Sequence, residues 1–497
     1  MHSFGDHDAL GLAELVRDGE VTPLELVEAA ISNIEEVNGD LNAVVIRMYD
    51  EARRVAGGDL PDGPFRGVPF LLKNLLSAYS GVRLTGGSRY YADYVPDHDA
   101  ELVKRYKRAG LVVVGKTNTP ELGIVPFTEP ELHGPTHTPW KLGYNSGGSS
   151  GGAGAAVGAG VVPAAHGGDG GGSIRIPAAC CGVFGFKPTR ARTPTGPDAS
   201  EHWYGFAIEH ALTRSVRDSA ALLDATTGPE VGNWYAPPPV PEPFLDATRR
   251  EPRKLRVAFT TDPLMPSKVH PDCVTATERM AQALEDLGHH VEEARPPVDA
   301  SAFARDFLTV VSVATATEAI AGAKIVGRPA TKDDFEVTTW LAVMMGRNTG
   351  AVQFALALEN LKTLSRTTAP FFEDYDVLLT PTLGGPPPKI GALKPKGFEA
   401  TLQRAIVRGN LAPLLKVPGA VERVAEEVYD FVPFTIFANV TGQPSMNVPF
   451  HWNDDGLPIG TMLTGRFGDD WTLLSLAAQL EEAHPWANKR PPINTYG

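Results

Sequence analysis

The stretch "NSGGSSGGAGAAVGAGVVPAAHGGDGGGSIRIPAACCG", residues 145–182, presents two serines on almost bare backbone, Ser149 and Ser173, 24 positions apart. Between them the small-residue pattern "AGAAVGAGVVP" predicts a helix, and the interval is long enough for that helix and a strand to return the chain to one shared site. Of the 51 glycines, 15 fall within residues 143–185, so the enrichment is local. Local glycine marks backbone conformations or close approaches that a Cβ would forbid. A serine attacking an acyl carbon needs a base for its proton and donors for the developing oxyanion. The N–H groups of Gly170, Gly171 and Gly172, just before Ser173, are candidate donors, and losing one such donor typically costs about 3 kcal/mol of transition-state stabilisation.

Two candidates stand out for the base. His166 is the conventional one, yet it lies seven residues before Ser173 across a flexible turn, where a buried core or capping histidine fits equally well. Lys73, in "VPFLLKNLL" (68–76), is the sharper candidate, because Val68, Phe70, Leu71, Leu72 and Leu75 around it disfavour its charge. Acting as a neutral base near pH 7 requires its pKa to fall by about three units, about 4 kcal/mol. The alternative is a lysine whose stem packs while its amine snorkels to solvent.

Two other motif matches fail on context. "GLVVVGKT" (110–117) fits the P-loop expression, but its Leu-Val-Val-Val is a buried strand where a phosphate cradle needs a loop, and "NTPELG" follows where a helix should begin. "NSGGSSGG" (145–152) contains G-x-S-x-G twice, but the nucleophile elbow requires a strand directly before the serine, and "HTPWKLGYNSGG" has turn residues instead.

The remaining chain alternates strand and helix patterns. "TPLELVEAAISNIEEVNG" carries Thr22 as N-cap, Pro23 at the first position, Glu25 to complete a capping box and Gly39 as a stop, with Leu24, Val27, Ile31 and Ile34 expected as its buried stripe. Strands are expected at 41–46, 67–76, 111–117, 254–262 and 375–382, and helices at Ala100–Ala109, over most of 306–372 and at 469–484. The Pro-rich run 228–244 reads as a surface connection wrapping the same body. This alternation specifies an α/β fold with a mixed sheet, without fixed-period repeats.

Bulk properties narrow the function. The 497 residues carry 45 basic and 59 acidic side chains, a formal charge of −14, which disfavours nucleic acid or an anionic membrane as partner. Three cysteines, with Cys180 and Cys181 adjacent, build neither a disulfide framework nor a metal site and read as small buried thiols. The N-terminal "MHSFGDHDAL" lacks the basic and apolar regions of a signal peptide, so a cytoplasmic location is expected.

"GGSSGG" (147–152), "GGSIRIPAACCGVFGFKPT" (171–189) and Lys73 in "GVPFLLKNL" together resemble the amidase signature family, whose catalytic group is Ser, cis-Ser and Lys. "GKTNTPELG" (115–123), "TEPELHGPTHTPW" (128–140) and "TGQPSMNVPFHWNDDGLPIGTMLTG" (441–465) extend the resemblance along nearly the whole chain. The resemblance implies a central mixed β-sheet covered by helices on both sides, in one domain over 1–497 with a core at about 65–215 and a variable helical substrate-side region at about 300–372. It implies Ser173 as nucleophile, Ser149 on a cis peptide as proton relay, Lys73 as base, and the N–H groups of Gly170, Gly171, Gly172 and Ser173 as oxyanion donors. Gly123, Ile124 and Phe127 are expected to contact substrate. No metal or cofactor is implied. The partner is a small-molecule amide, ester or carbamate, with the chain a monomer or homodimer. Within the family, the motifs at 115–123 and 128–140 and the "LEEAHPW" ending resemble the branch of cyclic-dimer hydrolases, aryl acylamidases and urethanases more than amidotransferase A subunits.

Three positions depart from the family pattern. Asn74 stands where an aspartate usually follows the lysine, which removes a negative neighbour and predicts a more depressed lysine pKa. Gly168 replaces a threonine before the nucleophile, and Gly170 stands where a side chain is common; both leave more room and predict a wider acyl or leaving-group slot.

Overall fold

Helix α1 (Pro23–Leu41) begins as its sequence dictates. Thr22 Oγ1 accepts the Glu25 N–H at 3.2 Å and the Glu25 carboxylate accepts the Thr22 N–H at 2.8 Å, so two N-terminal donors are satisfied reciprocally. Val27, Ile31 and Ile34 are buried as expected, but Leu24, in the first turn, is exposed, and the helix's end also differs from expectation. Gly39 does not stop the helix, which runs to Leu41 before Asn42 turns left-handed at φ 52°. An interior glycine costs about 1 kcal/mol against alanine, and burial of Leu41 offsets it. Asparagine tolerates the left-handed turn, and its N–H closes on Asn38 O at 2.8 Å. The next strand therefore starts at Val44 rather than residue 41.

The computed structural model describes residues 7–411, 425 and 428–496. Among these residues eleven strands form one sheet: β1 (Val44–Arg47), β2 (Pro69–Lys73), β3 (Val112–Thr117), β4 (Ala164–Asp169), β5 (Phe184–Lys187), β6 (Ile208–Thr213), β7 (Arg256–Phe259), β8 (His290–Glu293), β9 (Val377–Pro381), β10 (Ser445–Trp452) and β11 (Pro458–Gly465). Their order is β1-β3-β2-β4-β6-β5-β10-β11-β9-β7-β8. The pairs β2/β3, β2/β4, β7/β8 and β7/β9 are parallel and the other neighbours antiparallel, so the sheet is mixed.

Among the described residues, strand alternation sorts the sheet's apolar side chains into the two largest cores. Val257, Leu379 and Leu463 pack with Leu473 and Leu476 of the C-terminal helix, whereas their chain neighbours Ala258, Leu378 and Met462 join the larger core on the other face. On that larger side lie helix α2 (Glu101–Arg108), the all-buried small-residue helix α3 (Gly151–Gly158) and α4 (Arg175–Cys181). The region expected to be helical holds α5 (Ala300–Ala321), α6 (Val337–Asn348) and α7 (Ala351–Asp374). Helix α5 is long and apolar enough to cross a membrane, but half of its apolar stretch is buried in the fold, against α6 and α7. Helices α8 (Ile436–Thr441) and α9 (Asp470–Ala483) complete the elements used below.

The context arguments against the two motif matches agree with this architecture. Gly115, Lys116 and Thr117 lie inside β3, with Lys116 Nζ donating to Ser77 O at 3.2 Å. Irregular chain precedes Ser149 and Ser150, and α3 follows them. The Pro-rich connection is tied to the same body: the Glu230 carboxylate accepts the N–H groups of Thr195 and Gly196 at 3.0 and 2.8 Å.

Candidate active site

Lys73 is the last residue of β2 and Asp169 the last of β4, and because these strands are parallel both side chains arrive at the same sheet edge. That edge, beyond the carboxyl ends of parallel strands, is where α/β sheets place ligands. All five residues of β2 are buried, Lys73 among them at 2% exposure. Its ammonium does not snorkel out: Nζ lies 2.7 Å from Ser149 Oγ and 3.4 Å from Gly168 O. Burial pushes its pKa down to about 7, against the opposing pull of the Glu209 and Asp169 carboxylates.

The two glycine-serine motifs meet. The Gly148–Ser149 peptide is cis, and the next N–H, of Ser150, donates to Ser173 O at 3.2 Å. Ser150 Oγ also accepts the Gly168 N–H at 3.3 Å and donates to Gly168 O at 3.2 Å, clamping the end of β4 beside Lys73. Lys73, Ser149 and Ser173 line one cavity of about 520 Å³.

The glycine strip before Ser173 is organised by a residue that sequence reasoning passed over. Buried Asp169 accepts the Gly172 N–H at 2.7 Å, the Ile174 N–H at 3.2 Å, two Arg175 guanidinium bonds at 3.0 and 2.9 Å, and the Asn439 amide at 2.9 Å. Burial alone would raise its carboxyl, but Arg175 beside it holds the pKa down to about 2. The Gly172 N–H, one of the four expected oxyanion donors, is therefore engaged by Asp169. Gly172 has φ +119°, and a Cβ there would lie 2.4 Å from Thr435 Oγ1, which itself donates to Gly171 O at 2.7 Å.

Of the expected substrate contacts, Gly123 lines the catalytic cavity, whereas Ile124 and Phe127 line a separate cavity of about 150 Å³ with Glu336 and Lys394. Leu122, at φ 52°, and Gly123, at φ 68°, put a turn between Gly123 and its neighbours, so residues adjacent in sequence face different spaces. Leu122, Trp203 and Tyr204 are wall residues that the sequence did not single out, while the expected helical region does supply a wall, through one face of α5: Ala314, Thr317, Glu318 and Ala321. That spacing places the four on a single helical stripe.

The departures from the family pattern are filled in specific ways. At Gly170 an added Cβ would meet Trp203 Cε3 at 3.0 Å, so the indole occupies the space and the slot is not widened there. At Gly168 the nearest atoms, Glu209 Cγ at 3.6 Å and Lys73 Nζ at 3.9 Å, leave room. Asn74 bonds both ways with Thr85, accepting its N–H at 3.0 Å and donating to its Oγ1 at 2.7 Å, and so braces the loop beside the lysine. The charge absent from position 74 is offset by Glu209, the first of the two carboxylates that favour the ammonium. His166, the conventional alternative base, is buried with its Nδ1 accepting the Lys73 backbone N–H at 3.2 Å. The three cysteines are buried free thiols, and among the described residues no three His, Cys, Asp or Glu side chains gather as a metal-binding set.

Comparison with known proteins agrees with this geometry. The amidase family model matches residues 25–474. A 6-aminohexanoate-cyclic-dimer hydrolase from Pseudomonas sp. (strain NK87) is 39% identical over 98% of this chain and 96% of its own. The solved structure of a 6-aminohexanoate cyclic dimer hydrolase with substrate superposes with a TM-score of 0.87 at 38% identity, covering 98% of this chain and 99% of that one. A bacterial aryl acylamidase superposes at 0.84 with 27% identity, over 98% and 99% of the two chains. The chain belongs to the amidase family. It is accordingly an amidohydrolase, acting on C–N amide bonds other than peptide bonds.

Proposed function

We propose that the chain hydrolyses carboxylic amides through an acyl-enzyme, with Ser173 as nucleophile, Ser149 as relay and Lys73 as base. The observation that carries this reading is the 2.7 Å contact between Lys73 Nζ and Ser149 Oγ in the cavity that Ser173 lines. Neutral Lys73 takes the proton of Ser149, Ser149 takes that of Ser173, and Ser173 Oγ bonds to the carbonyl carbon. The oxyanion is held by the N–H groups of Gly170, Gly171 and Ser173. Collapse breaks the C–N bond, and the leaving nitrogen takes the proton back along the same path. Water, deprotonated by the same relay, then releases the acid.

The walls favour amides flanked by apolar segments, since Leu122, Trp203, Tyr204 and Ala314 surround the serines. Oligoamides of ω-amino acids, the substrate type named for the cyclic-dimer hydrolases, fit that description, as do anilides. Esters and carbamates present the same carbonyl to Ser173 and belong to the same reading. The test is a panel of cyclic and linear oligoamides, anilides, esters and carbamates, run on the purified chain and its Ser173→Ala variant. Turnover and covalent labelling by a fluorophosphonate are expected to vanish in the variant; retained turnover would overturn the assignment.

A further inference from the structure

One buried carboxylate beside the lysine has no part in the chemistry above. Glu209, in β6, is 4% exposed and pairs across the antiparallel β4/β6 ladder with Gly168. Directly opposed residues on neighbouring strands share a face, so the Glu209 side chain lies over the position where Gly168 has none. A Cβ on Gly168 would stand 3.9 Å from Glu209 Oε1 and 3.9 Å from Lys73 Nζ. The two charged groups flank that gap, within about 8 Å of each other and without a side chain between them.

The other groups around Lys73 do not substitute for Glu209. Asp169, from β4, is engaged by Arg175. Lys116, from β3, points to Ser77 O, and the carboxylates of Asp198 and Glu318 lie on the cavity wall, Asp198 paired with His98. Glu201 and His202 line the same wall. His166 does reach Glu209: its Nε2 is 3.0 Å from Glu209 Oε1, though not aligned as a hydrogen bond. Because His166 Nδ1 accepts the Lys73 backbone N–H, the proton of the neutral ring sits on Nε2 and faces the carboxylate. Glu209 thus acts on the Lys73 amine through space and lies beside His166, which holds the Lys73 backbone.

We propose that Glu209, facing Lys73 across the side-chain-free Gly168, is a positioning residue that holds the base partly protonated and so sets the pH range of catalysis. The inference rests on Lys73 being the base. Its direction follows from the sign of the charge, since a buried carboxylate favours the ammonium and opposes the desolvation that would free the amine.

The experiment is the pH profile of kcat/KM for one anilide, from about pH 5 to about pH 9, on the wild type, Glu209→Gln, Gly168→Ala and Lys73→Ala. In Glu209→Gln the acidic limb is expected to move to lower pH by about one unit, roughly a tenfold gain in neutral lysine on that side. Gly168→Ala places a methyl at ordinary contact distance between the two groups and is expected to shift the limb the same way by less. It also serves if Glu209→Gln does not fold. An unmoved limb in the folded variants, with Lys73→Ala inactive, would overturn the role of Glu209. A Lys73→Ala variant with wild-type rate and profile would instead overturn the base assignment beneath it.

Discussion

Lys73, the proposed base, sits where its charge is unwelcome. In the unfolded chain a lysine keeps its proton up to about pH 10.5, but in this fold it does so only below about 7. Between those values the unfolded state binds more protons, so stability falls as pH drops from 10.5 toward 7. The cost at neutral pH is on the order of 4 kcal/mol. With Lys73 as the proposed base, the same shift sets the expected pH dependence: the amine is free above about pH 7, so kcat/KM is expected to fall below it as the ammonium forms. Lys73→Met removes the cost but strands Ser149 Oγ, which offsets part of the gain. We expect that variant to be inactive yet more stable than wild type at pH 7, by about 1–3 kcal/mol in urea denaturation, with the difference shrinking toward pH 10. A variant less stable at pH 7 would show that the burial of the charge is not the dominant effect. This residue was legible in the sequence because five apolar neighbours within eight positions announced a buried amine. Glu209 was not legible, since its relation to Lys73 passes through a strand pairing that no local pattern reports.

At the scale of the element, the glycines from the end of β4 to the start of α4 are a graded set rather than a uniform loop. Gly172 holds φ +119° and lies against Thr435, where a Cβ would approach to 2.4 Å. Gly170 faces the Trp203 ring at 3.0 Å, and Gly168 has only ordinary contacts beyond 3.5 Å. Alanine substitution is therefore expected to destabilise in the order Gly172, then Gly170, then Gly168. Gly172→Ala should lose about 2 kcal/mol or more, because a left-handed backbone and a clash with a fixed side chain add, and Gly168→Ala should stay within about 0.5 kcal/mol. Thermal or urea unfolding of the three variants checks the order; equal losses would mean that the strip adapts as a flexible loop. The glycine run and its serine could be read from sequence as an oxyanion device. That Gly172 gives its N–H to Asp169 could not, because the choice depends on Arg175, six residues on, and on Asn439, which arrives from α8.

The whole molecule separates chemistry from selection. The proposed reacting groups come from β2, the turn before α3 and the turn before α4, all within the first half of the chain, while the far wall of the cavity comes from α5. The first part was legible because its motifs are local and its strand periodicity strong. The wall was legible only as a helical region, since which face of α5 meets the serines is set by its packing against α6 and α7. Ile124 and Phe127 illustrate the same limit: they sit beside Gly123 in sequence, yet a left-handed turn sends them to another cavity. A division of this kind makes α5 the place where substrate range can change without touching the reacting groups. Ala314 is the position to test, because it is small, half-buried and on the stripe that faces the catalytic cavity. Ala314→Trp puts an indole into the 520 Å³ space. It is expected to lower kcat/KM for bulky anilides or cyclic oligoamides at least tenfold, by about 1.4 kcal/mol or more of lost transition-state binding. Small amides and fluorophosphonate labelling of Ser173 should be retained, because neither needs that space. Equal losses for small and large substrates would place Ala314 in the support of the reacting groups, and no loss for either would mean that substrate approaches from the Trp203 side.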